Sequence, residues 1–359
     1  MVEAKEMLDT LEPLASADAP DTVEPSRVSK AHEAPLPLSL MPRASLGTLP
    51  TPLEPLPRLG SFVGHSSMWI KRDDVTGLGM GGNKTRSLRF LLGDAIVKGC
   101  DTILAAGGLQ SNLCSLTAAA CARMGLGCIL IHNDVPPQRL EGNMLLNRMF
   151  GARSEFLGRV SEEERALAMD QMAKDLRRAG KKPYPVHNGA STPIGALGYA
   201  EAALELHSQC REQGIPMRHI CIVGAMGGTA SGFVYGTAHL GGPFRVHVIS
   251  VEYAVVELER RLTGLFNGLR GLLGAATIPP ESVMTVYGDY VGAGYGIPTP
   301  KSKEAQKLLA QHEGIITENV YTSKTVAGML GLIERGIIPA NEPCCYIHTG
   351  GMGSLFAQD

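Results

Sequence analysis

Short apolar runs rich in β-branched residues alternate with helix-length stretches along most of this chain, and that alternation restricts the fold more than any other feature. Candidate strands are Thr102–Ala106, Cys128–His132, Ser154–Leu157, Tyr184–His187, His219–Val223, Val246–Val251 and Cys345–His348. Between them lie helical patterns over Arg86–Lys98, Ser111–Met124, Leu140–Phe150, Glu162–Ala179, Gly198–Gln213 and Ser231–Leu240. A strand that feeds a helix and then another strand builds parallel sheet covered by helices. The expected class is α/β, and in such sheets ligands collect at the carboxyl ends of the strands, where loops run into helix N-termini. The 359 residues suffice for about two domains.

Charge excludes several partners. Lys and Arg number 33 against 35 Asp and Glu, a formal net charge of -2, with no basic block to suit a nucleic acid or an acidic membrane surface. The longest apolar runs fall short of the ~18 residues of a membrane span. Met1–Leu40 carries Glu3, Glu6, Asp9, Glu12, Asp18, Asp21 and Glu24 and lacks the basic start and apolar stretch of a signal peptide, so a cytoplasmic address is expected. Residues 1–45, rich in Pro, Ala, Glu and Ser, read as a flexible or loosely docked extension, with the folded part beginning near Thr51. The cysteines, at positions 100, 114, 121, 128, 210, 221, 344 and 345, form no C-x-x-C pair; they read as reduced core thiols, and no metal site is expected.

Three glycine-bearing junctions carry the chemistry. In Gly81-Gly82-Asn83-Lys84-Thr85-Arg86, preceded by Lys71-Arg72-Asp73-Asp74, two glycines permit a tight turn and Lys84 opens a helix. The positive end of that helix favours a neutral amine, which can attack an aldehyde to form a Schiff base; a solvated surface lysine is the ordinary alternative. Gly107-Gly108-Leu109-Gln110-Ser111-Asn112 follows a strand and enters an Ala- and Leu-rich helix. The free amides there, with Ser111 and Asn112, suit a carboxylate, although Ser111 would equally serve as a plain helix cap. Gly224-Ala225-Met226-Gly227-Gly228-Thr229-Ala230-Ser231-Gly232 also joins a strand to a helix. Its amides and the Thr229 hydroxyl suit a phosphate monoester, or the segment is a structural turn; it is neither a P-loop nor a G-x-G-x-x-G loop. Further on, Tyr321 heads a helical segment where an aromatic could stack on a flat ring, and Thr349 ends the last strand with a hydroxyl to offer a ring nitrogen.

Taken in order, Gly81–Arg86, Gly107–Asn112, Gly189-Ala190-Ser191 with Gly195–Tyr199, Gly294-Tyr295-Gly296, Tyr321–Lys324 and His348–Gly351 resemble the D-cysteine desulfhydrase and 1-aminocyclopropane-1-carboxylate deaminase family over residues 46–359. The resemblance implies a pyridoxal 5′-phosphate enzyme of the tryptophan-synthase β fold (fold type II), a homodimer with the cofactor in a cleft between two domains. The large domain would comprise residues 46–86 and 190–359, the small domain residues 87–189. Lys84 would be the Schiff-base lysine and the base that moves the substrate proton. Asn112 would bond the cofactor's phenolic oxygen, and Ser111 with its neighbours would seat the carboxylate. Gly227, Gly228 and Thr229 would hold the phosphate. Tyr321 would lie against the pyridine ring, Tyr295 over the active site, and Thr349 at the ring nitrogen.

Two positions refine the activity. The residue after the stacking tyrosine is a glutamate in the deaminase branch and Thr322 here, which points to the desulfhydrase-like branch. The position after Gln110-Ser111-Asn112 faces the substrate region and is usually polar in the family, whereas this chain has Leu113 there. A hydroxyl at the pyridine nitrogen leaves it unprotonated and the ring a weaker electron sink, which suits expulsion of a good β leaving group. The expected reaction is α,β-elimination on a small amino acid, giving ammonia and a 2-oxo acid. The alternatives are β-replacement, racemisation or cyclopropane-ring opening on the same cofactor, a catalytically silent cofactor-binding protein, or a nucleotide-dependent reductase, which the missing G-x-G-x-x-G disfavours.

Overall fold

The computed structural model describes residues 35–357. Residues 1–34, most of the expected extension, lie outside them. The helices are α1 (Pro57–Val63), α2 (Lys84–Val97), α3 (Asn112–Met124), α4 (Gly142–Met149), α5 (Glu162–Arg178), α6 (Pro193–Glu212), α7 (Gly228–His239), α8 (Val255–Leu273), α9 (Pro300–Glu313), α10 (Thr322–Glu334) and α11 (Met352–Leu355). The strands are β1 (Leu53–Pro55), β2 (Met68–Lys71), β3 (Thr102–Ala106), β4 (Gly127–His132), β5 (Arg153–Phe156), β6 (Pro183–Val186), β7 (His219–Gly224), β8 (Arg245–Ser250), β9 (Met284–Tyr287) and β10 (Cys344–Ile347). They form two sheets, one ordered β1-β2-β10-β7-β8-β9 and the other β5-β4-β3-β6. All pairs are parallel except β1 with β2. Every residue of β3 and β7 is buried, as expected of central parallel strands covered on both faces.

The α/β class and the seven expected strands are present, each within a residue of its expected bounds. Three strands escape periodicity: β1 has three residues and ends on Pro55, while β2 and β9 mix polar with apolar positions. Helix α8 was not expected either. Its buried stripe of Leu258, Leu262, Phe266, Leu269 and Leu273 is interrupted in sequence by Gly264, Gly268 and Gly271. Helix α6 begins five positions before the expected Gly198, because Pro193 suits a first turn and the Thr192 hydroxyl accepts from the Gly195 amide at 3.1 Å. Gly198 is a contact point: a Cβ there would lie 2.4 Å from the Arg86 carbonyl, so α6 and α2 touch through it. Packed chain also starts before Thr51. Leu36 and Leu38 join the core around Phe90, Leu197 and Phe233, and Ala44 and Leu46 join the core around Leu88 and Leu92.

A buried ion cluster locks β2, α2 and α6 together. Arg86, wholly buried, donates to Asp73 through Nε at 2.8 Å and to Glu205 through Nη2 at 2.8 Å. Lys71 Nζ donates to Glu205 at 2.5 Å and to the Thr51 carbonyl at 2.6 Å, and the Tyr199 hydroxyl donates to Asp73 at 2.6 Å. Burial alone would raise the Asp73 and Glu205 carboxyls, but Arg86 and Lys71 hold both below the usual carboxylate range. All eight cysteines are free thiols, and burial raises Cys114 and Cys344 to about 12 and Cys210 to about 11.

Removing one member of such a cluster strands a buried charge. Arg86→Met should lower the unfolding free energy by about 3–5 kcal/mol in urea titrations. Carboxyls held below their unfolded values stabilise the fold above the unfolded pKa and lose that contribution as pH falls through the folded one. Wild-type stability should therefore decline below about pH 4, and Arg86→Met should show a shallower acid slope. Equal slopes would place the acid sensitivity elsewhere.

Candidate active site

The loops at the carboxyl ends of the strands enclose a cavity of about 480 Å³. Lys84, Ser111, Asn112, Leu113, Gly227, Gly228, Thr229, Tyr295, Tyr321 and Thr349 all line it, although they span more than two-thirds of the chain. The sequence thus brought every site residue it singled out to one place.

Lys84 heads α2, and its Nζ donates to the Gly189 carbonyl at 2.8 Å. The amine opens to the cavity yet is shielded from bulk water, and burial lowers its pKa to about 8. Desolvation is the cause of that shift, where the sequence had suggested the helix end. Asn83, just before it, was not singled out. Its Nδ2 donates to Thr229 Oγ1 at 2.9 Å, and its backbone amide donates to the Thr349 carbonyl at 3.0 Å. One residue therefore ties the lysine's turn to both the glycine loop and the end of β10. With a lone pair of Thr229 Oγ1 occupied, its O–H is left to donate into the cavity.

Gly227 caps α7 with φ at 101°, a left-handed conformation that glycine adopts without strain. The Gly228 amide donates to Ser191 Oγ at 3.1 Å, so a second hydroxyl stands at this helix start. Hydroxyls and amides at a helix N-terminus suit a phosphate monoester. Across the cavity, Ser111 accepts from the Cys114 amide at 3.3 Å; it is a helix cap, and it lines the site as well. Asn143 Nδ2 donates to Asn112 Oδ1 at 2.8 Å, which turns the Asn112 amide nitrogen outward as a donor. Leu113 is buried and contributes an apolar wall.

The aromatic side consists of Tyr295 and Tyr321, whose ring centroids are 5.7 Å apart at 67° and whose hydroxyls are in direct contact. Desolvation around the touching hydroxyls raises both phenols, although the Tyr295 side chain as a whole is half-exposed, so both are neutral at physiological pH. Thr322, beside Tyr321, turns away from the cavity and donates to Glu318 at 3.0 Å. Glu318 also accepts the amides of Val320, Tyr321 and Thr322, at 2.7, 2.9 and 2.7 Å, and so fixes the start of α10.

One wing of the cavity was missed by sequence reasoning. Asn133, Asn188 and Glu252 line it just beyond the carboxyl ends of β4, β6 and β8, where the strand-end rule would have located them. Arg165, almost fully buried on α5, donates to Asn133 at 2.5 Å and lies 3.4 Å from Glu162. Among the described residues no His, Cys, Asp or Glu group is arranged to hold a metal ion, and no helix is long and apolar enough to cross a membrane.

A desolvated amine, hydroxyls and amides at two helix starts, and two touching tyrosines thus surround one cavity. The chain belongs to the family of pyridoxal-phosphate dependent enzymes, whose pattern it matches over residues 44–350. It is 36% identical over 325 residues to the D-cysteine desulfhydrase of Salmonella schwarzengrund (strain CVM19633), covering 89% of this chain and 97% of that one. The D-cysteine desulfhydrase of Salmonella paratyphi B (strain ATCC BAA-1250 / SPB7) is 35% identical over the same length. A crystal structure of an ACC deaminase homologue superposes with a TM-score of 0.81 at 32% identity, covering 89% of this chain and 94% of the other. The fold is also that of the processed form of threonine deaminase isoform 2 from Solanum lycopersicum, with a TM-score of 0.65 at 15% identity and coverage of 90% and 83%. The protein is accordingly a fold-type II lyase that uses pyridoxal 5′-phosphate, and the residues around the cavity fit that group.

The lowered Lys84 pKa has a direct readout. An amine titrating near 8 is free to attack an aldehyde at lower pH than an ordinary lysine. The rate at which cofactor-free protein takes up pyridoxal phosphate should rise with a midpoint near pH 8. A midpoint near that of a solvated lysine would contradict the burial described here.

Proposed function

We propose that the chain eliminates a β substituent from a small amino acid, with each cavity residue in a defined role. Lys84 would hold the cofactor by its aldehyde and, once the substrate's amino group had taken its place, would remove the Cα proton as its neutral amine. The α3 amides with Ser111 would seat the α-carboxylate, and Asn112 would donate to the phenolic oxygen. Gly227, Gly228 and Thr229 hold the phosphate. Thr349 would offer its hydroxyl to the ring nitrogen, Tyr321 would lie against the ring, and Tyr295 would close over the substrate. When bound, pyridoxal phosphate supplies an electron sink conjugated to the substrate's Cα. Loss of the Cα proton and the β substituent, followed by hydrolysis, gives ammonia and a 2-oxo acid.

The observation that carries this reading is the convergence of nine scattered residues around one desolvated lysine amine. The D-cysteine desulfhydrase relatives support a β-thiol or similar leaving group. Leu113 supports a substrate whose side chain tolerates an apolar neighbour. The two separate sheets support the division into a large domain of residues 46–86 and 190–359 and a small domain of residues 87–189. Dimeric assembly and a cytoplasmic address complete the reading.

Lys84→Ala should remove the visible absorption of the bound cofactor and lower turnover by several orders of magnitude. A variant that kept both would refute the assignment. Assay of 2-oxo acid release across D- and L-amino acids with β leaving groups should identify the substrate, and Leu113→His should shift the ranking toward polar side chains. An unchanged ranking would remove Leu113 from specificity.

A further inference from the structure

We propose that Lys324 is a positioning residue that fixes Tyr295 against Tyr321, an inference that rests on the reading of those tyrosines as active-site groups. Lys324 is the third residue of α10, and its side chain has no exposure to solvent. A buried amine must recover its lost hydration from protein acceptors. Lys324 Nζ does so by donating to the Val291 carbonyl at 2.7 Å and to the Gly294 carbonyl at 2.9 Å. Gly294 directly precedes Tyr295, so this clamp grips the loop next to the residue that lines the cavity.

That loop has little else to hold it. It contains Gly292, Gly294 and Gly296 at φ of 69°, 154° and 76°, and its own backbone bonds, Val291 to Gly288 and Ile297 to Gly294, are both long at 3.4 Å. Tyr295 is 49% exposed, so packing restrains it weakly. The other end of the arrangement is rigid. Tyr321 immediately precedes α10, and its amide is held by Glu318 at 2.9 Å. Tyr321 and Lys324 therefore move as one unit, and the two carbonyl contacts transmit the place of that unit to Tyr295. The hydroxyl contact between the tyrosines is the product of this geometry.

The test uses the cofactor-loaded protein and the cycle Lys324→Met, Tyr295→Phe and the double variant. Lys324→Met removes both donors at nearly constant length. It should retain the visible absorption of the cofactor on Lys84 while kcat/KM falls on the order of 10- to 100-fold, as small misplacements of active-site groups do. Adding Tyr295→Phe should then cost less than about twofold more, because the clamp acts through that residue. Amide exchange should speed up over residues 291–296 and stay unchanged in the middle of α10. Losses that multiply, a kcat/KM within about twofold of wild type, or unchanged loop exchange would each overturn the proposal. Should Lys324→Met fail to fold, Lys324→Gln, which replaces the ammonium by a neutral NH2 on a shorter side chain, enters the same cycle, with the same non-additivity and loop-exchange criteria and a smaller fall in kcat/KM. A wild-type protein without cofactor absorption or turnover would instead overturn the functional reading itself.

Discussion

The pairing of Arg86 with Asp73 and Glu205 is the constraint on which the rest of the molecule is built. A guanidinium with no solvent contact is tolerable only if its donors are met, and here they are met by β2's end and by α6. Arg86 lies two residues after Lys84 on the first turn of α2. The cluster therefore fixes the direction in which the lysine leaves the helix. Gly198 lets α6 close on the same turn, because any side chain there would strike the Arg86 carbonyl. An electrostatic arrangement buried behind the site thus determines where an amine stands in front of it.

From that fixed point the cavity is assembled by short polar links between segments distant in sequence. Asn83 reaches Thr229 and the end of β10; Asn143 orients Asn112; Ser191 meets the amide of Gly228. The first two links each leave a polar group free toward the cavity, the Thr229 hydroxyl and the Asn112 amide nitrogen. The result is a site whose donors are oriented in advance, the condition under which they do most for a reaction.

What could be read from the sequence is what is local. Buried parallel strands are nearly pure apolar runs, so β3, β4, β7, β8 and β10 declare themselves, and glycines with Ser or Thr at strand–helix junctions mark Ser111, Gly227 and Thr229. The resemblance to a known family added Tyr295 and the separate roles. What could not be read depends on partners far along the chain. Asn83 and Thr229 are 146 residues apart, Lys71 and Glu205 134, and no spacing rule pairs them. Arg165 and Glu162 look like the polar opening of a surface helix until the fold turns α5 toward the cavity. The docking of Leu36 and Leu38 was hidden for a different reason: a Pro-rich segment without regular period packs side chain by side chain.

The Cys114 thiol is wholly buried in the first turn of α3, behind the Ser111, Asn112 and Leu113 that line a cavity suited to an electrophilic carbonyl carbon. Sulfur ordinarily outcompetes nitrogen for such carbon, through its thiolate. Burial raises this thiol to about 12 and lowers the Lys84 amine to about 8. The amine is therefore far closer to its neutral, nucleophilic form at neutral pH than the thiol is to its thiolate. The same desolvation, acting in opposite directions on a cation and on an incipient anion, keeps this buried thiol protonated and leaves Lys84 as the nucleophile that faces the cavity.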